Sequence, residues 1–240
     1  MLKIDLHIHT IASGHAYNTI LEYINQAASL KMKVIGISDH GPKLIGTGTN
    51  ESYFRVLKRV PEHINGVRVL KGIEANIIDT KGSIDIDDII IEKLDYVMAG
   101  MHQDTQYKSK GAVGDTRTMI RAIESGKINI ITHPSLDQRF PFDVAKIAEA
   151  ACANDVLLEL NVSLLADRKL KHNTITNMKT LVDAAKKHNR KLIVNTDSHS
   201  IWELADDSAL NRIKKEIGLT EKLIINNYPK ELFSYLGLQP

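Results

Sequence analysis

The residues best equipped for chemistry are histidines, with a few carboxylates among them. Asp5-Leu-His-Ile-His9 places His7 and His9 two positions apart. Side chains two apart on extended backbone share a face, so both rings can reach one cation. His15 follows in Ser13-Gly-His-Ala, and further groups stand at Ser38-Asp-His40, Gly72-Ile-Glu74, Gly100-Met-His102, Thr132-His133-Pro134 and Thr196-Asp197-Ser-His199. Imidazole nitrogens with carboxylates and no thiolate suit zinc, manganese or iron, and they argue against a structural zinc finger built on cysteine. At three or four ligands per ion and one bridging carboxylate, these nine donors suffice for about three ions, with positions left for water and substrate. Three divalent ions would bring about +6 against the two carboxylates Glu74 and Asp197, and the residual of roughly +4 invites phosphate. Ions of this kind polarise a phosphoryl group and lower the pKa of water, so the expected reaction is direct hydrolysis with no protein nucleophile.

Donors so far apart in the chain need a frame that gathers them. Short β-rich runs are expected at Leu2 to Leu6, Val34 to Ser38, Val67 to Ile73, Tyr96 to Met101, Ile128 to Thr132, Val156 to Asn161 and Leu192 to Thr196. Several are almost continuously apolar, as strands covered on both faces must be. Between them, apolar residues recur at spacings of three and four over Asn18 to Leu30, Ser52 to Ile64, Thr116 to Glu124, Phe142 to Ala153 and Thr174 to His188, which predicts helical crossovers. Asp115-Thr116 and Asn173-Thr174 are expected to cap two of these helices, and Pro229 to open a last short one. Alternation of strand and helix gives an α/β fold with a parallel sheet. Periodicity does not separate a closed barrel from an open doubly wound sheet. The donors do: an open sheet gathers its site at one switch point, whereas here candidates follow almost every strand, which fits a ring of converging strand ends.

Bulk composition sets bounds on this picture. The 240 residues, with 43% hydrophobic, suit one domain, expected to span 1–240. Net charge is only +2 and no basic stripe is present, so a nucleic-acid partner is not expected and a small molecule is. The single cysteine, Cys152, lies in an apolar helical run, so a reducing, cytoplasmic setting is expected. The chain opens without a leader-like segment and holds no run of about 18 apolar residues, so no membrane role is expected.

The His-x-His after the first strand, with SDHGP, GIEANI, the His102 position, the ITHP run and TDSH, resembles the PHP (polymerase and histidinol phosphatase) superfamily. The likeness is closest to its YcdX-type phosphatases and includes HAYNT and LELN as well as the donors. It implies a distorted (β/α)7, TIM-like barrel, three zinc-like ions at the strand C-termini, and phosphomonoesterase activity. By that similarity His7, His9, Glu74 and Asp197 surround one ion, Glu74 bridges to a second completed by His102 and His133, and His15, His40 and His199 hold the third. Asp197, Glu74 and His9 are the members expected to act in catalysis. Two departures bear on substrate: Gln103 where a Glu is expected after the histidine, and Ser135 where a Gly is expected after His-Pro. The loop Lys43 to Ser52 also differs from its counterparts and is a candidate lid.

Around the nine, Asp5 and Asp39 are candidates to orient imidazoles. Asn161 and Ser163 fit either phosphate contact or loop capping, and Arg139 and Arg168 are candidate phosphate clamps. Gly46-Thr-Gly-Thr-Asn50 lacks the Lys of a nucleotide loop and is expected to be a flexible connection. His63, His172 and His188 are expected to be ordinary solvated residues. Rival functions are a histidinol phosphate phosphatase, which would share the donors, and a non-catalytic metal-binding PHP module. An amidohydrolase is disfavoured because no lysine stands at a strand end. A homo-oligomer is compatible with the sequence, which holds no sign of it.

Overall fold

The computed structural model describes residues 1–136, 140–165 and 171–239, without the side chains of 171 and 172. Its strands are β1 (Ile4–Asp5), β2 (Val34–Ile37), β3 (His63–Ile64), β4 (Val67–Asn76), β5 (Tyr96–Gly100), β6 (Ile130–Ile131), β7 (Leu157–Asn161) and β8 (Ile193–Asn195). All but β3 run parallel in the order β1-β2-β4-β5-β6-β7-β8. The seven expected strands are therefore present, mostly shorter than expected, and they curl into a nearly closed barrel.

Closure falls between β8 and β1, where side chains do much of the work of a strand ladder. At the top, His9 N–H donates to Ser198 C=O (2.9 Å) and Ser198 N–H to His7 C=O (3.1 Å). In the middle, Asn195 Oδ1 accepts from Leu6 N–H at 3.0 Å. Lower down, Asn226 accepts from Val194 N–H at 2.9 Å and donates to Ile4 C=O at 3.0 Å. These amides satisfy buried backbone groups that an open edge would leave unpaired.

Ile4, Leu6, Val34, Leu70, Tyr96, Met98, Ile130, Leu157 and Ile193 form the inner cluster, stopped at one end by Ile225, Leu232 and Phe233. Tyr96 spans this interior, its hydroxyl donating to Leu6 C=O at 2.6 Å. Gly36 and Gly72 make room for it, since a Cβ on either would come within 2.2 Å of Tyr96 atoms. A larger cluster lies between sheet and helices, including Tyr23, Ile24 and Ala27 of α1 (Ile20–Ser29) and the buried Cys152.

The crossovers depart from expectation where local chemistry overrides periodicity. Helix α1 starts at a full capping box, Thr19 with Glu22. The helix expected over Ser52 to Ile64 breaks early: α2 (Glu51–Val56) passes into a 3-10 turn, and His63 and Ile64 pair antiparallel with β4. Pro61 lacks the amide a helix needs, and Asn65-Gly66, both at positive φ, fits the tight turn of a hairpin. A short α3 (Asp88–Ile91) precedes β5. Helix α4 (Gly111–Ile123) starts before Thr116, so Asp115 lies inside it and reaches back to Lys110 N–H (2.8 Å) and the Tyr107 hydroxyl (2.7 Å). In α5 (Val144–Ala153), Asp143 caps the Lys146 amide. Helix α6 (Lys171–Lys187) likewise starts ahead of Asn173-Thr174. Helices α7 (Ser208–Ile213) and α8 (Pro229–Tyr235) complete the chain, α8 opening at Pro229 as expected.

Replacing Asn226 by Leu removes the amide from the β8–β1 closure while keeping a side chain branched at Cγ. Three buried backbone groups, Val194 N–H, Val194 C=O and Ile4 C=O, lose their partner, so a stability loss of about 2–4 kcal/mol in urea unfolding is expected.

Candidate metal centre

The strands deliver the donors by ending where they do. Glu74 is on β4, His102 and His133 follow β5 and β6, and Asp197 and His199 follow β8. His7, His9 and His40 follow β1 and β2, with His15 in the loop beyond. All nine predicted residues come together at the C-terminal mouth of the barrel. His15, His40, Glu74, His102, His133, Asp197 and His199 line a cleft of about 430 Å³ there, and His7 and His9 lie fully buried in contact with Glu74.

Glu74 is the hub. Its carboxylate oxygens lie 3.3 Å from His7 Nε2, 3.4 Å from His9 Nε2, 2.9 Å from His40 Nδ1, 3.2 Å from His102 Nε2 and 2.8 Å from His133 Nε2. The His40 contact is close but misdirected, so neither His40 Nδ1 nor Glu74 Oε2 has a hydrogen-bond partner. Buried polar atoms are rarely left so.

Outer partners fix where the ring protons reside. His7 Nδ1 faces Glu159 Oε1 at 2.7 Å, and a carboxylate only accepts, so Nδ1 carries the proton. Ser13 gives its hydroxyl proton to Asp39 (2.7 Å), so at 3.0 Å from His9 Nδ1 it must accept from that nitrogen. Both Nε2 lone pairs then face each other 3.0 Å apart. Only a shared proton or a shared cation can reconcile them. His199 repeats the pattern: Nδ1 donates to Asp197 C=O at 2.9 Å, and Nε2 meets His15 Nε2 at 2.9 Å.

Three groups have donor atoms close enough to hold an ion: His7, His9 and Asp197; His40, Glu74 and His102; and His9, His40 and His199. They overlap the division implied by the family resemblance, but Glu74 is absent from the first group and His133 from the second. His40 stands beside Glu74 and His102 as well as with His199, and His9 joins the third group, where His15 was expected. Asp197 at φ 54° and His133 at φ 35° hold left-handed backbone, a conformation that costs a non-glycine residue about 1–3 kcal/mol and that clusters at functional sites.

Charge follows the geometry. Burial opposes a charged His7, yet Asp197, Glu159 and Glu74 outweigh it and raise its pKa well above the ordinary value. His133 is also raised: burial lowers it, but Glu74 prevails. Burial pulls His9 down to about 4 and His40 to about 3. Glu74 and Asp197, although burial pushes them up, are held well below the carboxylate range by the surrounding histidines, His7 foremost.

The supporting residues differ from those expected. Asp5 accepts from the His7 and Thr196 backbone amides and the Thr196 hydroxyl rather than from an imidazole. Asp39 bonds Thr10, Ser13 and Tyr53, and reaches His9 only through Ser13. The direct partner of an imidazole is Glu159, which sequence reasoning missed because it gave the strand that bears it no ligand and considered only Asn161 and Ser163 at its end. Asn161 donates to Asp197 Oδ2 at 3.0 Å, and Ser163 donates to Asn161 at 2.7 Å. Both are thus tied to a candidate ligand rather than engaged in capping alone. The 46–50 loop is anchored rather than free: Gly48 N–H donates to Ala12 C=O (2.8 Å), Thr49 to His40 C=O (2.6 Å), and Leu44 lines the cleft. Gln103 and Asp104 stand at the rim, and Ser135 is buried. His63 is exposed and His188 contacts Glu149 at 2.6 Å, both away from the cleft. Arg139, Arg168 and the His172 side chain lie outside the described residues.

The histidine-carboxylate cluster at the barrel mouth is a candidate metal site, and the comparisons with known proteins assign the chain to a family. Residues 5–161 match the PHP domain, and the chain belongs to that family. It is 36% identical over 233 residues to a probable phosphatase of Clostridium botulinum, covering 97% of this chain and 93% of that one. Among solved structures, histidinol phosphate phosphatase from Lactococcus lactis, complexed with zinc, L-histidinol and phosphate, superposes with TM-score 0.62 at 14% identity, over 90% of this chain and 94% of the other. A chain of an archaeal ribonuclease P with mature tRNA matches at TM-score 0.63 and 14% identity, over 98% and 90%. Likeness at that level establishes the shared fold alone.

The raised His7 and His133 values carry a consequence for the metal-free chain. A histidine raised in the folded state contributes stability that is complete below its ordinary value near 6.5 and is lost as pH rises through the raised value. Chelated protein is therefore expected to lose thermal stability as pH rises above about 6.5. Added divalent metal, which replaces those protons, should restore it. Thermal unfolding at a series of pH values with and without chelator checks this.

Proposed function

We propose that the chain hydrolyses phosphomonoesters at a centre of three divalent ions, zinc first and manganese or iron as alternatives. The observation that carries this is the pair of facing Nε2 lone pairs on His7 and His9, 3.0 Å apart, with Asp197 Oδ1 and Glu74 within 3.4 Å of them. The orphaned Glu74 Oε2 and His40 Nδ1, 2.9 Å apart, likewise call for a cation. His7, His9, Glu74 and Asp197 would hold one ion, Glu74 with His102 and His133 a second, and His15, His40 and His199 the third. When bound, such ions supply Lewis-acid charge and an acidified water.

The protein's own residues supply the rest. No Lys or Arg lines the cleft among the described residues, so the phosphate charge is matched by the ions rather than by side-chain cations. Asp197 has its Oδ2 held by Asn161 and its Oδ1 on His7 and His9. It is set to orient a water and to take or return a proton. Glu74 and His9 act with it, since both are shared between ion positions. Leu44, Met101, Leu136 and Leu164 form the apolar parts of the lining and exclude water around the ester. The whole chain, 1–240, serves as one hydrolase domain, in the cytoplasm, on a small phosphate ester and without nucleic acid. Among the described residues no helix is long and apolar enough to cross a membrane. A homo-oligomer is compatible with this reading.

Histidinol phosphate is the second substrate reading, favoured by the rim carboxylate of Asp104, which suits a cationic amine on the leaving group. A metal-loaded protein inert to every phosphate ester would favour the non-catalytic module instead. Elemental mass spectrometry is expected to find about three ions per chain. Hydrolysis of an aryl phosphate should stop on chelation and return with metal; a fully loaded but inactive protein would sink the phosphatase reading. Asp197→Asn is expected to lower kcat by at least about 10²-fold, the low end for a positioned proton-transfer group.

A further inference from the structure

Glu159 lies on β7, fully buried beside the candidate centre, and none of the ion positions above assigns it a part. Its carboxylate is saturated. Oε1 accepts from His7 Nδ1 at 2.7 Å and Asn195 Nδ2 at 2.9 Å. Oε2 accepts from the His133 backbone N–H at 2.7 Å and Asn161 Nδ2 at 3.2 Å. Four donors on two oxygens suit an ionised carboxylate and leave no acceptor site for water.

Two of these donors belong to residues whose rings both approach Glu74 Oε1, His7 at 3.3 Å and His133 at 2.8 Å. Accepting the His7 Nδ1 proton fixes that ring's tautomer and aims its Nε2 lone pair at His9, Glu74 and Asp197. Holding the His133 amide pins a residue whose φ of 35° favours relaxation to another conformation, and so keeps His133 Nε2 at 2.8 Å from Glu74. Among the described residues no hydrogen bond joins Glu159 to His15, His40 or His199.

We infer that Glu159 is a positioning residue that serves two ion positions at once, through the His7 ring and the His133 backbone, and makes no hydrogen bond to the residues of the third. The inference rests on the metal-centre reading above. Outer carboxylates of this kind fix ring orientation and raise ligand basicity, and their loss costs about 10–100-fold in metal affinity. Glutamine in this place offers one acceptor oxygen where two are used, and turns an amide donor toward either His7 Nδ1–H or the His133 N–H.

The test compares cobalt(II) uptake by the wild-type chain and Glu159→Gln, followed by visible absorption and by metal analysis after desalting, with circular dichroism to verify folding. The variant is expected to keep one ion per chain at wild-type affinity and to bind the others about 10–100-fold more weakly. Equal binding by both proteins overturns the inference alone, and so does equal weakening at all positions. A wild-type chain that takes up no cobalt would sink the phosphatase reading as well. Should the variant fail to fold, histidine nitrogen NMR of the zinc-loaded wild type decides instead. His7 is expected to carry its proton on Nδ1 and metal on Nε2, and an unprotonated Nδ1 overturns the assignment.

Discussion

Five imidazole nitrogens approach one buried carboxylate, Glu74, within 3.4 Å. Much of the rest of the structure serves that concentration of lone pairs. Without a cation among them, protons must take up the charge, and His7 and His133 are accordingly raised while Glu74 and Asp197 are depressed. Such a cluster would spread if its members rode on loops free to move. They ride instead on a strand or on residues just beyond strand ends, and their backbones are tied by Glu159, Asp39 and Asp5, each accepting from at least one main-chain amide.

How much of this was legible follows from the kind of signal each feature leaves. The nine candidates were readable because donors recurring just after apolar runs form a pattern across the chain. The barrel was readable because those donors follow nearly every strand. Glu159 left no such mark: it sits inside Leu157-Leu-Glu-Leu-Asn161, and a single carboxylate in an apolar run reads as a lapse in the strand until its partners are known. The same holds for Asn226, which lies far from β1 in sequence and closes the barrel against it. Local chemistry also misled. Periodicity carried a helix to Ile64, but Pro61 and the Asn65-Gly66 turn outweigh it, and the polar pairs at 115–116 and 173–174 read as caps although both lie inside helices.

Relatives and fold speak at different resolution. The match to the PHP domain covers residues 5–161 and stops before Asp197 and His199. The rim, where Gln103, Asp104 and Leu44 stand, is where chains sharing this frame can diverge in what they accept, since a frame that recurs in a phosphatase and in a ribonuclease P subunit does not by itself choose a substrate.

The junction between β8 and β1 has a temporal side. Of the nine candidates, His7 and His9 leave the ribosome first, and Asp197 and His199, which they contact, come almost two hundred residues later. A nascent chain therefore carries the first members of the cluster without their partners until β8 has been made. The donor cluster assembles only when β8 arrives and the ring shuts against β1.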